Sequence, residues 1–460
     1  MHLQTYRIER DSMGEMQVPS AALYGASTAR AVDNFPISAR RFPRAFIKAL
    51  GWIKEAAAIA NAQLLQLDQD KAKAIADAAR KVQMGEYDDQ FVVDIYQTGS
   101  GTSTNMNANE VIAHVAASFL HAGSVHPNDD VNCGQSSNDV IPTAVHLAVM
   151  SELGETLLPA FVLLEQALDT KAQEFSSVLK SGRTHLQDAV PVTLGQEFAG
   201  YTFQIRESIR RIKRALEELG AVTLGGTAVG TGVNTHPEFA RAAITKLAQI
   251  SGLPLYETGN HMAAQASPDV IADVSSALKN TALVLMKIVN DIRFMSSGPV
   301  AGLAEIVLPA VQPGSSIMPG KINPVIAESL LMVCAAVLGN DAAIQTAAQY
   351  SNFELHTMWP LLADKMLEST TLLAHGVRNF TEKLVQGIAA NKEHCEEILL
   401  KNPSVATVIA PDLGYDRVAA WVHEALSSGQ QILYKVEGKS DVYRIKDDLV
   451  KKSWLTGPRD

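Results

Sequence analysis

The sequence predicts a mostly α-helical protein with a central bundle of long helices, and three observations support this fold class. Apolar residues recur at spacings of three and four in several long segments, as in amphipathic helices packed side by side. One further segment is apolar almost all round. Strand signals are sparse and are confined to Thr5–Glu9 and the neighbourhood of Met16–Val18.

The clearest apolar stripes lie in the middle of the chain and continue over several helical turns. Their members are Leu153, Leu157, Phe161, Leu164 and Leu168, then Ile205, Ile209, Ile212, Leu216 and Leu219, and then Leu278, Ala282, Leu285, Ile288 and Ile292. Segment 326–348 has no polar face, so we expect it to be buried on every side, between subunits. The sequence therefore predicts an oligomer built on a helical bundle.

Composition and charge narrow the class of protein. The 460 residues are enough for two or three domains, or for one large core with appendages. They are 47% hydrophobic and 19% charged, an ordinary balance for a soluble globular chain. The formal net charge of −10 argues against nucleic acid or an anionic membrane as a partner. A small anionic substrate remains compatible with this charge, because the field inside a pocket outweighs the mean charge of the surface.

Cysteine usage and the N-terminal sequence predict the compartment. The three cysteines are scattered and lack metal-ligand spacing, so we interpret them as reduced packing residues in an intracellular protein. The N-terminal segment has no apolar core of the kind found in signal peptides. No uncharged stretch reaches the roughly 20 residues that a membrane span needs. We therefore expect a cytoplasmic protein.

Four segments rich in Gly, Pro, Asn and Ser interrupt the helical pattern: 98–109, 126–138, 181–191 and 311–324. Irregular loops on rigid helices commonly carry functional polar groups. From the pattern of the chain we predict a mixed, mainly helical N-terminal domain, a long-helix bundle and a small helical C-terminal domain, at 1–135, 136–394 and 395–460.

The last of these segments contains the run from Gly314 to Pro324, whose composition suits a mobile loop that closes over an anion. Two glycines and two prolines exclude a regular helix there. Ser315 can act as a base if its surroundings favour the alkoxide, and Lys321 and Asn323 can hold a developing negative charge. An ordinary surface turn is the alternative interpretation for such a composition.

Two other clusters concentrate small hydrogen-bond donors immediately before helical segments. They are Thr98–Glu110 and Gln135–Asp139. One interpretation is helix capping, for which Ser, Thr and Asn are the preferred residues. The other is a clamp for a dicarboxylate, with hydroxyls and amides at helix N-termini holding the anion. The candidate binding residues are Ser100, Thr102, Ser136, Ser137 and Asn138.

The segment Gly182–Pro191 supplies a titratable side chain. Its His185 lies between Thr184 and Gln187 in an apparent break between helices. A single histidine is more often structural than catalytic, but histidine titrates near neutral pH and can exchange a proton with a bound water. A carboxylate raises the basicity of histidine, and Glu328 is the candidate partner.

Six blocks of the sequence resemble motifs of the fumarase/aspartase superfamily, and of class II fumarases in particular. They occur in the same order as in that family and at about the same distances from one another. They are Thr98–Glu110, His126–Asn132, Gln135–Asp139, Gly182–Pro191, Gly225–Gly232 and Gly314–Pro324. Fumarases carry histidine where aspartases usually carry glutamine, and Ser-Ser-Asn where aspartases carry Ser-Thr-Asn. His185 and the run Ser136–Asn138 resemble fumarases at both positions.

The resemblance implies reversible hydration of fumarate to (S)-malate. It implies Ser315 as general base, Lys321 and Asn323 as charge-stabilising groups, and His185, oriented by Glu328, as the group that holds water. Carboxylates of the substrate would be bound by Ser100, Thr102, Ser136, Ser137, Asn138 and Thr184. His126, Asn128 and Asp129 resemble a second, non-catalytic dicarboxylate site.

The resemblance also implies a three-domain fold and a homotetramer in which each active site is shared between subunits. It implies neither a metal nor an organic cofactor, and the sequence has no dinucleotide-binding glycine motif after a strand. Three alternatives stay open: aspartate ammonia-lyase, a lyase for a substituted fumarate, and a catalytically silent structural relative. At Val300 this chain departs from the Gly-Pro-Arg that many members of the superfamily carry.

Overall fold

The computed structural model describes residues 5–120, 123–408 and 410–428. Helices dominate this part of the chain, which confirms the predicted fold class. The helices are α1 (Ala26–Asn34), α2 (Arg44–Gln63), α3 (Gln69–Met84), α4 (Thr102–Ala117), α5 (Ser137–Glu152), α6 (Leu158–Glu174), α7 (Leu194–Glu218), α8 (Phe239–Ser251), α9 (His261–Ala266), α10 (Asp269–Met295), α11 (Val325–Ala348), α12 (Trp359–Lys383), α13 (Lys392–Lys401), α14 (Ala410–Leu413) and α15 (Tyr415–Ser428).

Short turns of other helix types connect several of these helices. Two are π-helical turns, at Pro127–Val131 and Leu153–Leu157. Three are 3-10 turns, at Asp88–Gln90, Val385–Gly387 and Pro403–Val408. The second π-helical turn links α5 directly to α6, so one nearly continuous helical stretch carries the first predicted stripe.

Strands in the described residues are short and pair two by two. They are β1 (Tyr6–Asp11), β2 (Gly14–Pro19), β3 (Leu179–Thr184), β4 (Gln187–Thr193), β5 (Ala221–Val222), β6 (Tyr256–Glu257), β7 (Ile306–Val307), β8 (Ser351–Asn352), β9 (Leu355–His356) and β10 (Ala389–Ala390). The pairs are β1 with β2, β3 with β4, β5 with β6, β7 with β10 and β8 with β9. The β1–β2 pair confirms the two predicted strand signals.

The β3–β4 pair corrects one prediction. Segment 181–191 was expected to be an irregular loop, but it forms most of an antiparallel hairpin. The strands are short, and a register shift between Ser181 and Arg183 breaks the alternation that would have revealed β3. The polar and glycine residues that suggested a loop belong to this bulge and to the turn.

The three predicted apolar stripes are buried along their length, with Leu216 half-buried. They lie on α6 with its preceding π-helical turn, on α7 and on α10. Charged residues on the opposite faces are mostly exposed, for example Arg211 and Lys213 on α7. The spacing of three and four therefore marks the buried faces of these helices.

Helix α11 behaves differently from the other long helices. It corresponds to the segment without a polar face, and within one chain only about one third of it is buried. Ala327, Leu330 and Cys334 are buried, whereas Met332 is 68% exposed. Much apolar surface of α11 is thus left uncovered by the described residues, and its burial between subunits stays a prediction.

Two helical stretches of the described residues, Ser137–Glu174 and Val325–Ala348, have the length and apolar composition that a membrane span requires. Core helices of water-soluble proteins often meet the same criterion, so this observation is weak by itself. The cytoplasmic location stays a prediction.

The described residues group into two compact units. The first draws on the described residues of Met1–Leu158, Arg210–Asn280 and Ala335–Leu373, and the second on the described residues of Pro159–Ile209, Thr281–Cys334 and Ala374–Asp460. In the first unit α2 packs against α3, α5 and α8, and in the second α13 packs against β3. The predicted division into three domains stays a prediction, and residues 429–460 of the predicted C-terminal domain lie outside the described residues.

Candidate active site

Three hydroxyl groups from two helix N-termini form a continuous hydrogen-bonded chain in the first unit. Ser100 Oγ lies 2.7 Å from Thr102 Oγ1, and Thr102 Oγ1 lies 2.6 Å from Ser137 Oγ. Ser137 Oγ also donates to Asn138 Oδ1 at 3.3 Å. We call these four residues the hydroxyl clamp. Their hydroxyl protons can turn toward an anion, and the N-termini of α4 and α5 favour negative charge at this place.

Glycines make this convergence possible. The residue before α4, Gly101, has a φ of 74°, and a side chain at Gly99 would clash with the carbonyl oxygen of Thr357. The loop therefore lies directly on a neighbouring backbone. Gly101 occupies the N-cap position of α4 and has no side chain to cap the helix, and Gln97 Oε1 instead accepts a hydrogen bond from the Thr104 backbone N–H at 3.0 Å. Capping thus does not account for the hydroxyls of Ser100 and Thr102.

The N-terminus of α5 is capped and anchored. Ser136 is its N-cap, and its side chain accepts a hydrogen bond from the backbone of Asn138. Asp139 accepts from the backbone N–H groups of Ser136, Gly225 and Thr227 at 2.9, 2.9 and 3.0 Å. Burial raises the pKa of Asp139, and these three donors oppose the shift. The clamp helix is thereby tied to the glycine-rich segment 225–232, and a binding role for Ser136 stays a prediction.

His185 lies in the second unit, at the tip of the β3–β4 hairpin. His185 and Leu186 form its two-residue turn, and both have left-handed backbone angles, with φ of 56° and 59°. Such turns join antiparallel strands with the natural twist, but each residue other than glycine at this conformation costs about 1–2 kcal/mol. Thr184, His185 and Leu186 are exposed. The strained turn holds the imidazole at the most protruding point of the hairpin.

Buried ion pairs stabilise the base of this hairpin. Lys180 on β3 is 1% exposed and contacts Glu305 at 2.8 Å and Glu197 at 2.7 Å. Arg183 donates to both carboxylate oxygens of Glu305, at 2.7 and 3.1 Å. Asn402 donates to Ser181 Oγ and to a carbonyl of β4. Because such buried, bidentate contacts are rigid, the hairpin is a firm support for the histidine.

The predicted mobile loop lies in the same unit and folds on itself at its base. Gly314 donates its backbone N–H to Lys321 O at 2.9 Å, and Asn323 Nδ2 donates to Gly314 O at 2.6 Å. Ser315 Oγ accepts two backbone N–H groups, from Ile317 at 3.2 Å and Met318 at 3.1 Å. Two such donors lower the energy of negative charge on the serine oxygen, as a general base requires.

A cavity of about 760 Å³ adjoins the C-terminal end of this loop. Lys321, Asn323 and Glu328 line it together with apolar residues such as Phe294 and Leu308. The structure therefore brings three of the predicted catalytic residues to one cavity. Within the described part of the chain no hydrogen bond or ion pair joins His185 to Glu328, so their pairing stays a prediction.

The predicted second anion site lies at the π-helical turn that precedes α5. His126 is its N-cap, with Nδ1 at 3.1 Å from the backbone N of Asp129 and 3.2 Å from its carboxylate. His126, Asn128 and Asp129 are all exposed. Lys71 is paired with Asp130 at 2.8 Å. The three residues are thus neighbours, and their binding of an anion stays a prediction.

Sequence reasoning missed the groups that support the site. Asp139 could have been recognised, because Ser136 and Asp139 stand at the spacing of a capping box. Lys54 could also have been noticed, because it follows Leu50 by four residues on an otherwise apolar helical face. Glu305, which pairs with two basic residues of β3, offers no such signal, because its partners are more than a hundred positions away.

No group of three or more His, Cys, Asp or Glu side chains suited to a metal ion occurs in the described ranges of the chain. The candidate active-site residues of the two units are hydroxyls, amides, one lysine, one histidine and the carboxylate of Glu328. Such a set can bind carboxylates, move a proton and stabilise a developing negative charge.

Comparison with known proteins identifies the family. The sequence profile of a lyase family matches residues 14–339. The class II fumarate hydratase of Corynebacterium efficiens is 48% identical over 430 residues, which cover 93% of this chain and 90% of that relative. The fumarate hydratase class II 2 of Pseudomonas aeruginosa is 47% identical over 444 residues, which cover 96% of this chain and 97% of that relative.

Solved structures agree with the sequence comparison. A class II fumarase from Schistosoma mansoni matches with a TM-score of 0.93 and 37% identity, covering 99% of this chain and all of that chain (100%). A fumarate lyase:delta crystallin from Brucella melitensis matches with a TM-score of 0.94 and 43% identity, covering 98% and 100%. The chain belongs to the class II fumarate hydratase family of the fumarase/aspartase superfamily.

Proposed function

We propose that the protein catalyses the reversible addition of water to fumarate, giving (S)-malate. In the malate-to-fumarate direction, Ser315 removes a proton from C3, and the resulting aci-carboxylate carries the extra charge. The hydroxyl on C2 then takes a proton from the protonated imidazole of His185 and leaves as water. The family relationship and the composition of the candidate site support this reaction. The observation that carries it is the exposed imidazole of His185 on a rigid hairpin tip, because hydration requires a group that can deprotonate water.

The loop supplies the base and the charge stabilisation in this proposal. The C3 proton is weakly acidic, since its removal creates a dianionic carboxylate. The two backbone N–H groups on Ser315 Oγ favour its alkoxide. Lys321 and Asn323 then stabilise the charge on the substrate, and one donor of this kind typically contributes about 10²–10³ in rate.

The remaining groups hold the substrate and the water. Ser100, Thr102, Ser137 and Asn138, with Thr184 and Ser136, bind the carboxylates. His185 holds the water that leaves C2 or attacks it, and Glu328 orients His185. The hydrogen-bonded hydroxyl chain supports the first of these roles, because three adjacent hydroxyls at two helix N-termini exceed the needs of helix capping.

The test of this function is the absorbance of fumarate in the ultraviolet. We expect purified protein to form fumarate from (S)-malate and to consume fumarate in the reverse direction. Aspartate supplied alone should give no fumarate. Release of fumarate from aspartate but not from malate would establish the alternative, an aspartate ammonia-lyase. A substituted fumarate that reacts much faster than fumarate would assign the third alternative.

We also propose a homotetramer whose active sites are completed by neighbouring subunits. The exposed apolar surface of α11 supports an assembly, because contiguous exposed apolar surface marks interaction sites. The exposure of Thr184, His185 and Lys321 supports shared sites, because catalytic groups in water gain little from electrostatic stabilisation. In such an assembly the subunit contacts made by α11 also bring together the residues of each active site.

Placing a charge on α11 should therefore dissociate the protein and inactivate it. We expect Met332→Lys to reduce the tetramer fraction and the specific activity in parallel, because burying an unpaired ammonium costs several kcal/mol. Light scattering coupled to size exclusion, with activity measured on each fraction, checks this. The matched control is Met84→Lys on α3, since Met84 has the same 68% exposure. A fully active Met332→Lys monomer would refute the shared site.

A further inference from the structure

A fully buried lysine lies in the first unit and has no part in the chemistry described above. Lys54 on α2 is 0% exposed, and α2 packs against α5, the helix that carries Ser137 and Asn138. Its ammonium donates to Gln135 Oε1 at 2.9 Å and to Asn132 Oδ1 at 3.1 Å. Both acceptors are neutral, and within the part of the chain that the structure describes no carboxylate pairs directly with this lysine.

The two acceptors belong to the turn that leads into the hydroxyl clamp. Asn132 follows the π-helical turn, and Gln135 immediately precedes Ser136, the N-cap of α5. Asn132 Nδ2 donates to Gln135 O at 3.1 Å, which closes the turn. Lys54 therefore contacts both ends of a four-residue turn whose next residues present the clamp donors.

Other polar side chains converge on the same point. Asn105 and Asn109 of α4 both donate to Asn132 Oδ1, at 3.1 and 3.2 Å. This face of α4 begins with Thr102, three residues before Asn105, so the polar row continues from the clamp into the core. Lys54 and this row together fix Asn132, and thereby the approach of α4 and α5.

Stability alone gives a poor reason for a lysine at this position. Burial lowers the pKa of Lys54 to about 7, and the charge of Asp139 opposes the shift. Since the ordinary value is 10.5, the unfolded chain binds this proton more tightly than the folded one does. Burial of Lys54 therefore lowers the free energy of unfolding by its full amount below about pH 7. This loss of stability disappears as the pH rises toward 10.5, the pKa of the lysine in the unfolded chain. Because burial of Lys54 lowers the stability of the protein at neutral pH, we look for its role in function.

We propose that Lys54 is a positioning residue for the reaction: its ammonium holds the Asn132–Gln135 turn, and through it the N-terminus of α5, in the geometry that binds a substrate carboxylate. The role rests on the proposed function, since the clamp is the site that binds fumarate and malate. Lys54 acts through Gln135 and Asn132 and does not contact the substrate.

The test is the division of the effect between KM and kcat. We expect Lys54→Met, which keeps the length of the side chain but donates no hydrogen bond, to raise KM for fumarate about tenfold, as the loss of charge-assisted hydrogen bonds predicts. We expect kcat to change by less than about threefold, because the loop and His185 are untouched. An unchanged KM overturns the proposal, whatever happens to the melting temperature.

The adjacent residue on the same helix provides the control. Glu55 is also buried, and it bonds to Arg80 and Gln83 on α3, away from the clamp. Glu55→Gln should lower stability and leave KM within about twofold of the wild-type value. An equal rise of KM in this control would show a general effect of disturbing α2 and would overturn the proposal.

A second variant covers the case in which Lys54→Met does not fold. Gln135 is half-buried, and Gln135→Met removes the oxygen that accepts the hydrogen bond from Lys54. This variant should raise KM for fumarate about as much as Lys54→Met does. Where Lys54→Met folds, the effect of the double variant on KM should be smaller than the sum of the two single effects, because both changes remove the Lys54–Gln135 hydrogen bond. Additive effects on KM, or an unchanged KM in Gln135→Met, contradict the assignment.

An equilibrium measurement separates this proposal from the proposed function. Hydration of fumarate by the wild-type protein is measured first, and its result tests the proposed function independently of Lys54. Succinate, an unreactive dicarboxylate, is then titrated calorimetrically into wild-type protein and Lys54→Met. Binding about tenfold weaker in the variant supports the role of Lys54 even if the wild-type protein hydrates no fumarate. Equal binding overturns it even if hydration is observed.

Discussion

Replacing Ser315 by alanine should lower kcat for malate dehydration by about three orders of magnitude, within the range that a positioned general base contributes. KM should stay within about threefold of the wild-type value, because the clamp that we propose to bind the carboxylates is on other segments. The physical reason is that Ser315 accepts the C3 proton in the proposed reaction, and two backbone N–H groups stabilise negative charge on its oxygen. Steady-state rates in both directions measure this effect.

The adjacent hydroxyl provides the matched control. Ser316→Ala removes a hydroxyl of the same kind from the same loop, and the Ile317 and Met318 N–H groups donate to Ser315 Oγ. We expect kcat of Ser316→Ala within about threefold of the wild-type value. If Ser315→Ala retained more than a tenth of kcat, or if Ser316→Ala lost as much as Ser315→Ala, Ser315 would not be the base.

Helix positions could be predicted from the sequence because burial on a helix has a local signature. The stripe that includes Ile205 and Ile209 repeats every three or four residues. Ile205, Ile209 and Ile212 are buried on α7, and Leu216 is half-buried. The hydroxyl clamp could be anticipated for a related reason. Ser100 and Thr102 precede one helical run and Ser137 precedes another, and helix N-termini bind anions whatever the rest of the fold.

Features that depend on distant parts of the chain were not predictable in this way. The β3–β4 hairpin is held by Glu305 and Asn402, more than a hundred residues from its strands. Without those contacts the sequence around Gly182 has the composition of a loop. Lys54 illustrates the same limit, because nothing in its local sequence shows that Asn132 and Gln135 will meet its ammonium.

Replacing His185 by glycine should abolish most of the hydration activity and leave the hairpin intact. Glycine adopts the left-handed conformation of this turn without strain, so the tip keeps its shape while the imidazole is lost. We expect kcat to fall by about 10²–10³, as for other general acid–base groups. Added imidazole should restore part of the lost rate, because it can occupy the vacated volume and accept the proton of the attacking water.

Leu186, the other residue of the turn, provides the matched control for this experiment. Leu186→Gly relieves the same backbone strain at the same tip, with φ of 59°, but removes no titratable group. Its kcat should stay within about threefold of the wild-type value, and imidazole should have no effect on it. Loss of activity in both variants, without rescue of His185→Gly, would mean that the hairpin contributes its shape and not a proton-transfer group. In that case the water would have to be activated by another residue, and Glu328 at the cavity beside the loop would be the next carboxylate to replace.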